Sequence, residues 1–281
     1  MKRKRILSIA ILVAFALTSF TTVSESSFAA DSVSAANLKP NYCKSYKSIG
    51  AKMDQNLLAH KKSFKITVQE KHADFLNYYI LYIHRKSDPY SIIRAGENLR
   101  IDLAVHSVVK SGSKHYYVFT LKPKYKHSAK KDRKFYKKVR SIAKKARRIK
   151  NKRKRIKYIN NYLINNTRYV TKYPTAYDAL IRGKGNCTAY SEAFTIIACH
   201  AGLSAETVAG HYKHGKRREP HAWNVVKLGK KWYNLDVTFN DQRSKRVRNM
   251  FFLMKNKTYK KTHRLHSHYK KIGWTKKHPL K

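Results

Sequence analysis

The chain has 281 residues, of which 63 are Lys or Arg and only 15 are Asp or Glu, so its formal net charge is +48 at pH 7. A hydrophobic fraction of 42% is enough for a packed core and excludes a chain that is disordered throughout. The length allows one full domain and a smaller partner. A charge of this size predicts a polyanionic neighbour, and the chain has no Walker-type or GxGxxG loop, so no nucleotide cofactor is expected.

The N-terminus has the pattern of a secretory signal. Five residues rich in Lys and Arg precede an apolar run from Ile6 to Phe20, and Ser27 and Ala29 are the small residues that a signal peptidase reads. We expect residues 1–29 to be removed and residues 30–40 to form a linker. An uncleaved anchor is the alternative, but the short run argues against a lasting span. The protein is therefore expected to be secreted or associated with the cell envelope, where an anionic polymer is a more plausible partner than nucleic acid.

Residues 41–127 are predicted to form a small α+β region. The segment 41–62 is typical of a helix, with apolar residues spaced along it. Three runs rich in aromatic and β-branched residues, 64–68, 78–83 and 116–121, are typical of strands. The role of this region is left open.

Residues 128–281 are predicted to form the second domain, which begins with two helices. No Pro or Gly interrupts 128–166, and apolar residues recur at three- and four-residue steps on both sides of a break near Asn151. Basic runs between Lys144 and Lys157 indicate either solvated helix faces or a face that binds polyanions. Both interpretations can hold together.

The three cysteines are Cys43, Cys187 and Cys199. An odd number leaves at least one free thiol in an exported protein. Cys43 and Cys199 could pair, but Cys199 lies in an apolar helical pattern that suits a small buried thiol, so we expect no disulfide.

Cys187 is predicted to begin a buried helix. Gly183 and Gly185 permit a tight turn, and Asn186 is a good N-cap. Tyr190, Phe194, Ile197 and Ala201 share one face of the helix, and Gly202 ends it. A helix N-terminus stabilises a thiolate, so the position suits a nucleophile, although a structural cysteine is the alternative.

A β-hairpin is predicted to supply the other two groups of a triad. A Gly229-Lys230 turn, or a four-residue loop of the same register, places Val226 opposite Tyr233, Trp223 opposite Asp236 and His221 opposite Thr238. His221 and Asp236 then share one face of the sheet as diagonal neighbours, so the carboxylate can orient an imidazole that takes a thiol proton. A structural histidine and a strand-end capping aspartate are the competing interpretations.

These motifs together resemble the bacterial transglutaminase-like superfamily of papain-like enzymes. The resemblance rests on G-x-C-x-x-Y-S-x-A-F, H-A-W-N-x-V and W-Y-x-L-D-x-T, and extends over roughly residues 129–276. It implies an α+β fold in which the helix that carries the nucleophile packs on an antiparallel sheet. It also implies that Cys187 is the nucleophile, His221 the base and Asp236 the orienting acid, with Tyr173 and Tyr177 as candidates for an oxyanion donor. Phe239 departs from the tryptophan of many relatives, and we expect it to affect packing more than chemistry.

The function expected from this resemblance is acyl transfer from protein or peptide amides, as in a transglutaminase or cysteine protease. The motifs leave open the substrate, whether an amine or water accepts the acyl group, any regulation by a propeptide or calcium, and the oligomeric state. A non-catalytic module that binds anionic cell-wall polymers is the alternative. His211 with His214, and His263 with His266 and His268, have spacings that a metal could use, but they lack nearby carboxylates or cysteines, so no metal site is expected.

Overall fold

The protein is described here by a computed structural model. The described residues are 41–69, 99–111, 114–125, 127–215, 217–242, 248–271 and 274–281. The predicted signal at 1–29, the predicted linker at 30–40 and the predicted strand at 78–83 lie outside them. The chain divides into two compact units, Met1–Ala129 and Lys130–Lys281, and the fold is of the α+β class.

The first unit combines one helix with a four-stranded sheet. Its elements are β1 (Tyr42–Cys43), α1 (Tyr46–Leu58), β2 (Phe64–Gln69), β3 (Leu99–Ser111) and β4 (Lys114–Tyr125), and the strand order is β1-β2-β4-β3. Ser45 and Ser48 form a capping box at the start of α1, which satisfies backbone N–H groups that have no partner inside the helix. The helix predicted within 41–62 and the strands predicted at 64–68 and 116–121 are observed, whereas β3 is not predicted from the sequence.

The second unit begins with two helices, α2 (Ala129–Arg147) and α3 (Lys152–Asn166), as the sequence predicts. Apolar residues spaced three or four apart are buried along α2, among them Phe135, Val139 and Ile142. The break falls where expected, because Asn151 caps α3 by accepting a hydrogen bond from the backbone N–H of Lys154 at 3.0 Å.

An antiparallel sheet with a buried helix against it forms the rest of the second unit. The remaining elements are β5 (Arg168–Tyr169), a π-helical turn (Asp178–Arg182), β6 (Lys184–Gly185), α4 (Cys187–His200), β7 (Ala205–His214), β8 (Arg217–Leu228), β9 (Lys231–Leu235), α5 (Val237–Asn240), α6 (Asn256–Tyr259), β10 (His263–Leu265), α7 (His268–Lys271) and α8 (Trp274–Lys277). The sheet has the strand order β10-β7-β8-β9, and β5 pairs separately with β6. Helix α4 packs on β7 and β8.

The hairpin of β8 and β9 has the predicted register but ends earlier than predicted. Val226 pairs with Tyr233, and the turn is the two-residue Gly229-Lys230 loop. The prediction that Trp223 faces Asp236, and His221 faces Thr238, within the sheet is wrong. Strand β9 stops at Leu235, and the chain turns into α5 with Asp236 as its N-cap.

The buried carboxylate of Glu206 in β7 forms hydrogen bonds with the C-terminal residues of the second unit. Glu206 accepts a hydrogen bond from the Trp274 indole at 2.7 Å, and its other oxygen lies 2.8 Å from Nε2 of His278. Trp274 is fully buried in a cluster that includes Val208 and Trp223. In the part of the chain that the structure describes, no helix is long and apolar enough to cross a membrane.

Candidate active site

Cys187 is the first residue of α4, and the preceding turn fixes its position. Gly183 has a φ of +66°, a conformation that glycine adopts without strain. A Cβ on Gly185 would lie 2.7 Å from the Cβ of Ala189, so only glycine allows this close approach to the helix. Asn186 caps α4, with its side-chain oxygen 3.2 Å from the backbone nitrogen of Ala189. The thiol is half-buried at the N-terminus of the helix.

Polar contacts inside the unit hold α4 against β8. The amide nitrogen of Asn224 donates to the backbone oxygen of Ser191 at 2.8 Å and lies 2.9 Å from Oγ1 of Thr195. The predicted apolar face of α4 is buried, with Tyr190, Phe194 and Ile197 at 0% exposure. Because the same strand carries His221, these contacts fix the helix that begins with Cys187 relative to the imidazole.

His221 and Asp236 form a buried hydrogen-bonded pair. Nε2 of His221 lies 2.6 Å from Oδ2 of Asp236, and the carboxylate has no exposure to solvent. The other oxygen of Asp236 accepts from the backbone N–H of Phe239 at 3.0 Å, which caps α5. Asp236 therefore serves both as a helix cap and as the partner of His221, and the two predicted roles are not exclusive.

The thiol and the imidazole influence each other. Burial raises the pKa of Cys187, but a hydrogen bond and the charge of His221, together with the backbone N–H groups of Ala222 and Thr188, outweigh it and lower the pKa. Burial also lowers the pKa of His221, but the hydrogen bonds and charges of Asp236 and Cys187 raise it to about 9. Since Nε2 is bonded to Asp236, Nδ1 is the ring nitrogen left for Cys187. The interaction therefore favours the thiolate and imidazolium forms over the neutral thiol and imidazole.

Two further buried residues converge on Asp236. The Tyr259 hydroxyl donates to Oδ2 at 3.3 Å, and Nε2 of His263 lies 3.4 Å from the same oxygen. The rings of Tyr259 and His263 are stacked with centroids 3.9 Å apart. Burial raises the pKa of Asp236, but hydrogen bonds from His221 and His263 lead the contributions that lower it. Burial lowers the pKa of His263, which favours the neutral ring.

The sequence does not predict a place in the site for either residue. His263 stands out only by a spacing with His266 and His268 that a metal could use, and Tyr259 belongs to no recognised motif. The chain separates them from Asp236 by more than twenty residues, so no local pattern connects the three. His263 lies instead in β10, which pairs with β7 at His263 and Tyr212.

Among the described residues, His221, Asp236 and His263 form a group that could hold a metal, and their ligand atoms all lie within 4.8 Å of one another. Two ligands of one zinc ion, each about 2 Å from the metal, stand about 3 Å apart. The 2.6 Å between His221 and Asp236 is shorter and fits a hydrogen bond. Elsewhere, His266 accepts from the backbone N–H of His268 at 3.2 Å. The contact between His221 and Asp236 is thus that of a hydrogen-bonded pair.

Comparison with known proteins agrees with this geometry. Residues 138–237 match the family model of the transglutaminase-like superfamily, and the match extends from α2 through Cys187 and His221 to just beyond Asp236. This segment of the chain is therefore similar to the transglutaminase-like superfamily.

Several solved structures are similar to the chain at low identity. A TGase crystal structure has 15% identity and a TM-score of 0.35, covering 73% of this chain and 60% of that one. A candidate cysteine protease from Cytophaga hutchinsonii has 13% identity and a TM-score of 0.33, covering 56% and 70%. The periplasmic domain of TgpA from Pseudomonas aeruginosa, bound to ethylmercury, has 16% identity and a TM-score of 0.34, covering 55% and 69%.

The chain spans 60% of the length of the first of these structures. No curated protein sequence is significantly similar to the chain.

The two tyrosines predicted as oxyanion candidates occupy different surroundings in the second unit. The backbone oxygen of Tyr173 accepts from the N–H of Asn186 at 2.9 Å, which places Tyr173 beside the residue that precedes Cys187. The half-buried ring of Tyr177 lies 6.2 Å from the ring of Phe135 in α2. Tyr173 is therefore the candidate tied directly to the start of α4.

Aromatic rings form one wall around the imidazole of this unit. The ring of Phe239 stacks on His221 with centroids 4.6 Å apart and planes 18° apart, and the ring of Tyr212 packs edge-on against Phe239 at 4.5 Å. Phe239 has no polar group that could reach the reaction. Its contact with His221 is one of ring packing, which restricts rotation of the imidazole.

Proposed function

We propose that the protein is a thiol acyl-transfer enzyme, of the transglutaminase or cysteine-protease type, that acts on amides of proteins or peptides. The observation that carries this proposal is the 2.6 Å contact between Nε2 of His221 and Asp236, which leaves Nδ1 for the thiol of Cys187. A nucleophile, a base and a group that orients the base are the three parts that covalent acyl transfer needs.

The reaction follows from the protonation states of these groups. The Cys187 thiolate attacks the amide carbon, and the resulting oxyanion is stabilised by the backbone N–H at the start of α4 and by a side-chain donor, for which Tyr173 and Tyr177 are the candidates. The C–N bond breaks as the His221 imidazolium gives its proton to the leaving nitrogen, and a thioester remains. An amine or water then attacks the thioester, His221 takes its proton, and cleavage of the C–S bond restores the thiolate.

Asp236 contributes by position and charge. It fixes the tautomer and plane of His221 and stabilises the imidazolium, and it remains ionised because its pKa lies well below the usual range. Tyr259 and His263 hold the carboxylate in turn, so we assign them as positioning residues. This arrangement requires no cofactor.

The reactivity of Cys187 tests the proposal directly. We expect iodoacetamide to alkylate Cys187 in the folded protein faster than Cys43 or Cys199, as measured by peptide mass spectrometry over time. Cys199 is a matched comparison because both thiols are half-buried, and urea-denatured protein controls for intrinsic differences between the sites. Equal rates at Cys187 and Cys199 in the folded protein would contradict the proposal.

We further propose that the enzyme is exported and held at the cell envelope by its charge. Exposed cations on α2, on α3 and in the link between them support this part of the proposal: Lys144, Lys145, Arg148, Lys152, Lys154 and Lys157. Mass spectrometry of the mature protein should find an N-terminus near residue 30, and an intact Met1 in released protein would contradict export. Retention on cells should fall as salt rises, because exposed charges are screened.

The same exposed cations favour a second candidate function, a non-catalytic module that binds anionic cell-wall polymers. Cys187→Ala separates the two. The module predicts a cellular role that is unchanged by this substitution but lost when the cations between Lys144 and Lys157 are neutralised. The enzyme predicts loss of that role in Cys187→Ala.

A further inference from the structure

A group of cations surrounds Tyr173 beside the nucleophile. Lys172, Arg182 and Lys184 place their charged groups 5.3, 5.8 and 5.8 Å from the centroid of the Tyr173 ring. Arg168 pairs with Lys184 across the two-stranded sheet of β5 and β6. We call Arg168, Lys172, Arg182 and Lys184 the rim cluster.

The backbone places the rim cluster at the entrance to the site. The backbone N–H of Asn186 donates to Tyr173, and its side chain donates to the backbone oxygen of Thr171 at 3.1 Å. The N–H of Val170 donates to the backbone oxygen of Gly185 at 2.9 Å. The segment that carries Arg168 and Lys172 is thus bonded to the turn directly before Cys187, and Lys184 is only three residues from the nucleophile.

The rim cluster is unfavourable unless an anion compensates it. Like charges at directly paired positions of a sheet, such as Arg168 and Lys184, destabilise the pairing. Arg182 has a carboxylate partner, Asp178, at 2.9 Å. Among the described residues, no ion pair joins an acid to Lys172 or Lys184. Such conflicts between local energetics and fold are expected where a site binds a ligand.

The charges of the rim cluster are not needed to activate the thiol. The main contributions that lower the pKa of Cys187 come from His221 and from backbone N–H groups of Ala222 and Thr188. Tyr169, beside Arg168, is 48% exposed, and burial followed by the charges of Cys187, Glu219 and Asp236 raises its pKa. The rim cluster is therefore close to the thiol along the chain but is not among the main groups that lower the pKa of Cys187.

We propose that the rim cluster is a substrate subsite that binds a carboxylate, so that the preferred acyl donor is an acidic peptide. Lys172 and Lys184 supply the charge, and the Tyr173 ring holds their ammonium groups over its face. This inference rests on the proposed function for its meaning as a substrate preference, but the binding of an acidic peptide can be measured without turnover.

The test compares two peptides that differ only in charge. Glutamine peptides of one sequence carry either two Asp or two Asn residues beside the glutamine, and their binding to the Cys187→Ala protein is measured by isothermal titration calorimetry. Exposed ion pairs contribute only modestly to binding, so we expect the Asp peptide to bind about three- to tenfold more tightly. The ratio should shrink as salt rises.

A matched pair of variants separates the subsite from the general charge of the protein. Lys172→Gln/Lys184→Gln should remove the preference for the Asp peptide. Lys144→Gln/Lys145→Gln removes the same two charges from the exposed face of α2 and should keep the preference. Equal binding of the two peptides, or equal loss in both variants, would overturn the subsite. Arg168→Gln provides a second variant if the first pair unfolds, which circular dichroism would reveal.

Different experimental results would contradict the subsite and the proposed acyl transfer. Turnover of both peptides at equal rates by the unmodified protein, with no difference in binding, would leave acyl transfer standing and overturn the subsite. A persistent binding preference without any thioester formed at Cys187 would support the subsite and contradict the enzyme.

Discussion

The two sides of Cys187 differ in burial and in charge. On one side, Asp236 is fully buried, and His221, Tyr259, His263 and the backbone of Phe239 surround its two oxygens. On the other side, the rim cluster is largely exposed, and three of its four cations lie near the ring of Tyr173. The buried side holds one geometry for chemistry, whereas the exposed side can vary with the substrate. Substitutions on the buried side should therefore lower kcat, whereas loss of the rim cations should weaken the binding of acidic peptides.

The largest effect is expected at the boundary between the two sides. Cys187→Ala removes the nucleophile, so we expect kcat to fall by about 10⁴-fold or more. The measurement is release of ammonia or of the cleaved amine from a peptide amide. Cys199→Ala is the matched control, since that thiol lies in the same helix, and it should keep most of the activity. A Cys187→Ala protein with full activity would remove the covalent mechanism.

On the buried side, Asp236→Asn should lower kcat by about 10³- to 10⁴-fold, because the amide holds the wrong tautomer of His221. The melting temperature serves as the control, since Asp236 also caps α5. A protein that unfolds would be replaced by Asp236→Ser, because serine is also a good N-cap.

The pH profile of kcat/KM reports the same buried pair. In the unmodified protein, kcat/KM should rise as pH increases through the lowered pKa of Cys187, and fall as His221 loses its proton near pH 9. Asp236→Asn removes the charge that raises the pKa of His221, so the alkaline limb should move to lower pH. An alkaline limb that stays near pH 9 in this variant would contradict the assigned pair.

On the exposed side, Tyr173→Phe separates the hydroxyl from the ring. If the hydroxyl completes the oxyanion hole, kcat should fall by about a hundredfold, while KM for acidic peptides stays unchanged because the ring remains. Tyr177→Phe is the matched control and should change kcat little, since its ring packs against Phe135. Loss of activity in Tyr177→Phe alone would transfer the role to that residue.

The smallest effect should come from the residues that hold Asp236. Tyr259→Phe removes one hydrogen bond to the carboxylate, so kcat should fall by about three- to tenfold. Without this hydrogen bond, the Asp236 carboxylate interacts more strongly with the His221 imidazolium and raises the pKa of His221. The alkaline limb of the pH profile should therefore move to slightly higher pH, opposite to its movement in Asp236→Asn. A merely structural role for Tyr259 would lower the melting temperature and leave the limb in place.

The parts of the site that depend on local sequence could be predicted, and the parts that depend on distant contacts could not. Asn186 and Cys187 begin α4 as expected, because an N-cap acts over three residues. The hairpin register was also predictable from its two-residue turn. The exact place of Asp236 was not, because the capping of α5 ends β9 one residue before it.

Prediction from the sequence fails most clearly for Tyr259, His263 and the rim cluster. Tyr259 and His263 reach Asp236 only because β10 pairs with β7. The cations at Arg168 and Lys184 become neighbours only through the pairing of β5 with β6, two strands of two residues each, which carry almost no sequence pattern. Residues brought together by such contacts can be recognised from the structure but not from periodicity.

Detection of a covalent intermediate on Cys187 tests the central claim most directly. The unmodified protein is mixed with a panel of glutamine peptides and cell-wall peptides, quenched in acid, and measured by intact mass spectrometry, with and without an added amine. The account predicts a thioester adduct on Cys187, absent from Cys187→Ala and depleted faster when the amine is present. Adducts at Cys43 or Cys199 at the same level, or turnover of the peptides in Cys187→Ala, would contradict it.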